Sequence, residues 1–149
     1  LHITTRFIGE WPEPRLAELQ AALAGIPAQP AIPVHVLKLG FFPNPHAPRV
    51  FWAGVEAPPE LAALAAQTDR ALDTLGLSPE GRPFRPHLTL ARIKDPVPLQ
   101  KLREQIAALP SLEFGSFTAT RFYLYLSQRT SAGSIYSKLA EYPLSAAVS

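Results

Sequence analysis

Apolar and polar positions alternate over residues 2–8 (HITTRFI), a period of two that predicts a β-strand. Leu16, Leu19, Ala22 and Leu23 then recur at helical spacing behind Pro12 and Pro14, and Gly25 follows, which predicts a helix over 14–24. Residues 33–42 (PVHVLKLGFF) and 50–56 (VFWAGVE) read as strands joined by a turn-rich loop, PNPHAPR. Pro58 and Pro59 open a helix that runs to about Leu75 and stops at Gly76. Its predicted buried face is Leu61, Leu64, Ala65, Thr68, Leu72 and Leu75. A polar loop, LSPEGRPFRP, delivers a strand over 87–93 (HLTLARI). Leu99, Leu102, Ile106 and Leu109 phase a helix over 97–109. Two last strands, 117–127 and 134–142, flank the turn SQRTSAG.

This order repeats. Strand, helix, strand, strand fills 2–56, and the same series fills 87–142. Both copies open on one short word, histidine–apolar–threonine: HIT at 2–4 and HLT at 87–89. A repeated unit with a preserved polar word predicts a pseudo-twofold molecule with the two words facing a shared cleft, so residues 1–149 are read as one domain of two lobes. A strand and helix precede the second copy but not the first, and the chain opens on Leu1 rather than Met. The repeat therefore predicts roughly 30–40 further residues upstream.

Composition narrows the chemistry. With 47% hydrophobic and 17% charged residues among 149, the chain can bury a core and is not disordered. No apolar run approaches a membrane span, and no signal peptide opens the chain, so no membrane partner and a cytoplasmic setting are expected. The absence of cysteine removes disulfides, thiolate metal sites and a cysteine nucleophile, and four histidines leave little material for a metal, so neither metal nor cofactor is expected. A net charge of +2 is too small to argue for nucleic acid by itself. The distribution says more: ten of the 14 cations are Arg, and the stretches 81–94 and 114–140 hold cations without an acid.

Each word carries its own chemistry. In a strand, residues i and i+2 share a face, so His2 pairs with Thr4 and His87 with Thr89, while Ile3 and Leu88 turn into the packed layer. An imidazole exchanges a proton near neutral pH, and a hydroxyl donates to an anionic oxygen. Two such pairs facing one another make a cradle for a tetrahedral anion. One histidine can deprotonate a water while the other protonates a leaving oxygen, which suits in-line attack at phosphorus without a metal. His35, in an apolar strand, reads as a packed or edge residue, and His46 as an exposed loop residue. Phe41, Phe42, Phe84 and Tyr125 could stack a nucleobase, although such aromatics more often belong to a core.

The words HITT (2–5) and HLTL (87–90) resemble the His-x-Thr/Ser-x motifs of the 2H phosphoesterases. HITTRFIGE, LGFFPNPHAPRVFWAGVE, PFRPHLTLARIK and RFYLYLSQRTSAGSIYSKLAEYPL are similar to the RNA 2′,3′-cyclic phosphodiesterase branch, historically named 2′-5′ RNA ligases, over essentially the whole chain. The resemblance implies an α+β fold of two lobes, with antiparallel sheets flanked by helices around a central cleft. It implies hydrolysis of a 2′,3′-cyclic phosphate, on an RNA end or a cyclic nucleotide, to a 2′-phosphate, and ATP-independent 2′-5′ joining of RNA ends by related chemistry. His2 would be the proton donor to the departing 3′ oxygen, His87 the base that activates water, and Thr4 and Thr89 the ligands of the non-bridging oxygens. Thr5 stands where the family more commonly has an apolar residue; by parity it faces away from His2. The phosphate-binding arginine is either Arg92, just past the second word but opposite His87 by strand parity unless a bulge intervenes, or Arg6, on the His2 face. A monomer is expected. Alternative readings keep the fold and change the substrate, to a 2′,5′-oligoadenylate or an ADP-ribose cyclic phosphate, or leave an RNA-end-binding module without catalysis.

Overall fold

The computed structural model describes residues 1–144. A single turn of 3₁₀-helix, Glu13–Arg15, leads into α1 (Leu16–Ala24). The chain continues through β1 (Ile32–Phe42), β2 (Val50–Glu56), α2 (Pro59–Asp73) and β3 (His87–Arg92). It ends with α3 (Gln100–Ala107), β4 (Glu113–Ala119), β5 (Arg121–Thr130) and β6 (Gly133–Pro143). Two antiparallel sheets result, one of order β3-β2-β1-β4 and one formed by β5 and β6. The fold is α+β, as the repeat and the resemblance led one to expect.

Helix α2 is the common spine. Leu61 and Leu64 pack with Ile32, Val34 and Leu144 against the four-stranded sheet. Two to three turns on, Leu72 is fully buried with Leu19, Leu23, Leu124 and Tyr142 against β5–β6. The predicted stripe is the buried one: Leu61, Leu64, Ala65, Thr68 and Leu72 all lie inside. Thr68 is tolerated there because its hydroxyl donates to the Leu64 carbonyl at 2.8 Å. Gly76, at φ 87°, ends the helix where an L-residue would be strained. Among the described residues no helix is long and apolar enough to cross a membrane.

Two expectations are corrected. Residues 2–8 do not form a strand; the segment makes one isolated antiparallel bridge, Ile3 to Leu88. Its other ties are side-chain bonds, the Phe7 N–H donating to Glu80 at 2.9 Å and Arg6 donating to Asp69 at 2.6 Å. The predicted strand 117–127 is two strands belonging to different sheets, broken at Thr120, whose carbonyl accepts from the Leu144 N–H at 2.8 Å. The second copy therefore carries three strands after its helix where the repeat led one to expect two.

Candidate active site

The isolated bridge builds the site. Ile3 faces Leu88 in antiparallel sense, and Ile3 packs at the edge of the α2 core. Carrying that register one residue to each side sets His2 opposite Thr89 and Thr4 opposite His87, all four on the face turned away from Ile3 and Leu88. The imidazoles then occupy one diagonal of a square and the hydroxyls the other. Diagonal neighbours across such a pair lie about 7–8 Å apart, a span that one phosphate fills. The structure thus brings both words together, with His2, His87 and Thr89 half-buried and Thr4 exposed.

His87 is held from two sides. Its Nδ1 lies 2.7 Å from the Arg85 carbonyl oxygen, which can only accept. The ring proton of neutral His87 therefore sits on Nδ1, leaving Nε2 with a free lone pair. Phe42 meets the ring edge-on at 5.1 Å and in turn packs on Trp52, also at 5.1 Å. The Trp52 indole lies over two glycines: a Cβ on Gly40 would overlap its ring, and a Cβ on Gly54 would come within 2.5 Å of the Leu37 carbonyl oxygen. Gly40 lets this ring lie flat beneath the site, and Gly54 lets β2 approach the backbone of β1 at Leu37.

His2 reaches across to the other sheet. Its ring stacks on Tyr125 at 5.7 Å and meets Tyr136 edge-on at 4.9 Å. Ser127 pairs with Tyr136 and Tyr125 with Lys138, so both tyrosines stand on one face of β5–β6 with His2 seated between them. Burial holds the His2 pKa below the ordinary histidine value, and the positive charge of Arg92 pushes the same way.

The reach of Arg92 to His2 is explained by a bulge. Trp52 pairs with Thr89 but Phe51 pairs with Ala91, which leaves Leu90 as an extra residue in β3. The parity of β3 inverts there, and Arg92, paired with Val50, returns to the face of Thr89 and His87. Arg6 is otherwise engaged. Its side chain is 6% exposed, and its guanidinium donates to Asp69 at 2.6 Å and to the Ser78 carbonyl at 2.5 Å. With Nε also donating to the Phe7 carbonyl at 3.1 Å, every nitrogen of the group is bonded within the protein, and the side chain fastens the first word to α2. Thr5 and Arg6, which strict alternation would set on opposite faces, line one groove with Asp69 and Glu80, because the strand geometry does not continue past the Ile3 bridge.

The remaining candidates divide. His35, half-buried in β1, pairs with Glu56 and Ser116 far along the sheet, and His46 is exposed with its N–H donating to Asn44. Phe41 stacks on Phe51 and Phe84 packs against the α2 core, whereas Phe42 and Tyr125 line the site. Trp52 and Tyr136 are site residues that sequence reasoning passed over. Their parity becomes readable only once the strand partners are known. Among the described residues no three His, Cys, Asp or Glu side chains converge as a metal site would require.

Comparison with known proteins agrees with this architecture. An Aeropyrum pernix protein named RNA 2′,3′-cyclic phosphodiesterase is 40% identical over 94% of this chain and 80% of its own. A Methanothermobacter thermautotrophicus protein of the same name is 33% identical over 97% and 78%. The crystal structure of TT0787 of Thermus thermophilus superposes with a TM-score of 0.79 at 28% identity, covering 96% of this chain and 77% of that one. E. coli LigT complexed with 3′-AMP gives 0.73 at 29%, covering 96% and 76%. Residues 1–131, both words included, match the 2′-5′ RNA ligase superfamily, and with two His-x-Thr words paired across one bridge this chain belongs to that family.

Proposed function

We propose that this chain hydrolyses the 2′,3′-cyclic phosphate of an RNA end, or of a cyclic nucleotide, to a 2′-phosphate by acid–base catalysis between His2 and His87. The observation that carries the reading is the antiparallel Ile3–Leu88 bridge, which turns both imidazoles and both hydroxyls to one face. The names of the relatives support the substrate class.

His87 is the base. With its proton on Nδ1 and held by the Arg85 carbonyl, Nε2 takes a proton from water as the water oxygen attacks phosphorus. On the opposite corner, His2 gives its proton to the 3′ oxygen as the bond from phosphorus to that oxygen breaks. The product carries a 2′-phosphomonoester and a free 3′ hydroxyl. Thr4, Thr89 and Arg92 hold the non-bridging oxygens, where negative charge grows in the transition state. His2 must arrive protonated although burial disfavours its charge. A bound phosphate anion reverses that balance, and the π faces of Tyr125 and Tyr136 favour the imidazolium further. Acid, base and anion ligands all come from one chain, so the reaction needs no second copy and, with charge carried by hydroxyls and a guanidinium, no metal. The proposed setting is the cytoplasm.

Incubation with 2′,3′-cyclic AMP in excess EDTA tests the reading. The expected product is 2′-AMP; 3′-AMP, or activity lost to the chelator and restored by a metal, would refute it.

A further inference from the structure

Beyond His2 the tyrosine face of β5–β6 continues away from the two words. Tyr125 lies 5.7 Å from His2 and Tyr123 a further 5.8 Å on, ring to ring. Lys138, opposite Tyr125 in the ladder, reaches diagonally so that its ammonium sits 4.2 Å over the Tyr123 ring. This cation–π contact fixes an otherwise mobile four-carbon side chain on the same face as His2. The nearest acid on that face does not neutralise it: Glu141, opposite Tyr123, is bonded to Arg121 at 3.2 Å. No acid occurs between Phe114 and Ala140, which covers β5 and most of β6. An uncompensated, oriented ammonium thus stands outward of the acid histidine, at the end of a file of aromatic rings.

We infer that Lys138, held by Tyr123, is the contact for the phosphodiester next upstream of the cyclic phosphate, so that the site is built for an RNA chain rather than a mononucleotide. The inference rests on the cyclic phosphodiesterase reading above. A single strand is bound by the combination seen here, aromatic rings that tolerate any base together with cations that track the backbone. A cyclic mononucleotide has no second phosphate and leaves Lys138 idle.

The test compares kcat/KM for 2′,3′-cyclic AMP with kcat/KM for a trinucleotide ending in the same cyclic phosphate. In the native protein the ratio should favour the trinucleotide, and Lys138→Gln should lower that ratio about tenfold. The slope of log kcat/KM against log salt, for the trinucleotide, should flatten by about 0.7, the release expected from one lost phosphate contact on a single strand. Lys138→Arg should retain the ratio. Tyr123→Leu, which frees the lysine without removing its charge, should lower the ratio less than Lys138→Gln. A ratio unchanged in Lys138→Gln would overturn the subsite while leaving the cyclic phosphodiesterase reading intact. Failure of the native protein to turn over either substrate would overturn that reading and the inference together.

Discussion

The two words are spelled almost alike and are held in different ways. His87 and Thr89 lie within β3, paired to β2 from Gly54 to Val50, with the imidazole tied at Nδ1. His2 and Thr4 lie on a segment with a single bridge, fastened instead by Arg6 to Asp69 and by the Phe7 N–H to Glu80. A backbone ladder fixes His87, the proposed base; side-chain clamps and a pair of tyrosines fix His2, the proposed acid. The first word therefore has the lower local stability, since fewer backbone bonds must open to release it. Equal chemistry does not require equal support.

The largest effects should come from the imidazoles themselves. We predict that His87→Ala and His2→Ala each lower kcat on 2′,3′-cyclic AMP by about 10²–10⁴-fold, the usual contribution of a positioned acid or base. The double variant should lose little more than the worse single one, because the two act as a unit. Steady-state kinetics with circular dichroism as a folding control decide this; additive losses would mean the two histidines work independently. Thr4→Ala and Thr89→Ala follow, at roughly tenfold to a hundredfold in kcat/KM, the cost of losing a hydroxyl bond to an anionic oxygen.

Support comes next, and there the two words should part. Arg6→Ala removes a buried guanidinium from Asp69 and Ser78 and should cost about 2 kcal/mol of stability by urea unfolding. It should also raise hydrogen exchange at residues 2–8 while leaving β3 protected. Equal loosening of both segments would erase the contrast between clamp and ladder. The smallest effect is a shift in pH dependence. The Arg92 charge helps to hold the His2 pKa down, so Arg92→Gln should move the limb of the kcat/KM profile that reports deprotonation of His2 to higher pH. A shift to lower pH, or none, would separate Arg92 from His2.

Much of this was legible in the chain. The stripe on α2, the two words, their common face and the inward turn of Ile3 follow from period and parity. The failures share a cause, which is that parity holds only while the strand does. HITTRFI alternates like a strand, yet its N–H and C=O groups find a ladder partner only at Ile3. Arg92 reads as facing away until the Leu90 bulge inverts its side, and nothing in HLTLARIK announces that bulge. Arg6 has the right parity, but only the fold brings up Asp69 to occupy it. The start of β4 and its separation from β5 were hidden because its side chains are mostly exposed and lack the apolar alternation that marks a half-buried strand.

In the proposed reaction a single phosphate touches both imidazoles at once. Titration of the native protein with 2′-AMP, followed by NMR on the histidine ring protons, asks that directly. The signals of His2 and His87 should both move, with one shared midpoint, while those of His35 and His46 stay still. Movement of one without the other, or two separate midpoints, would show that the rings do not meet on one ligand.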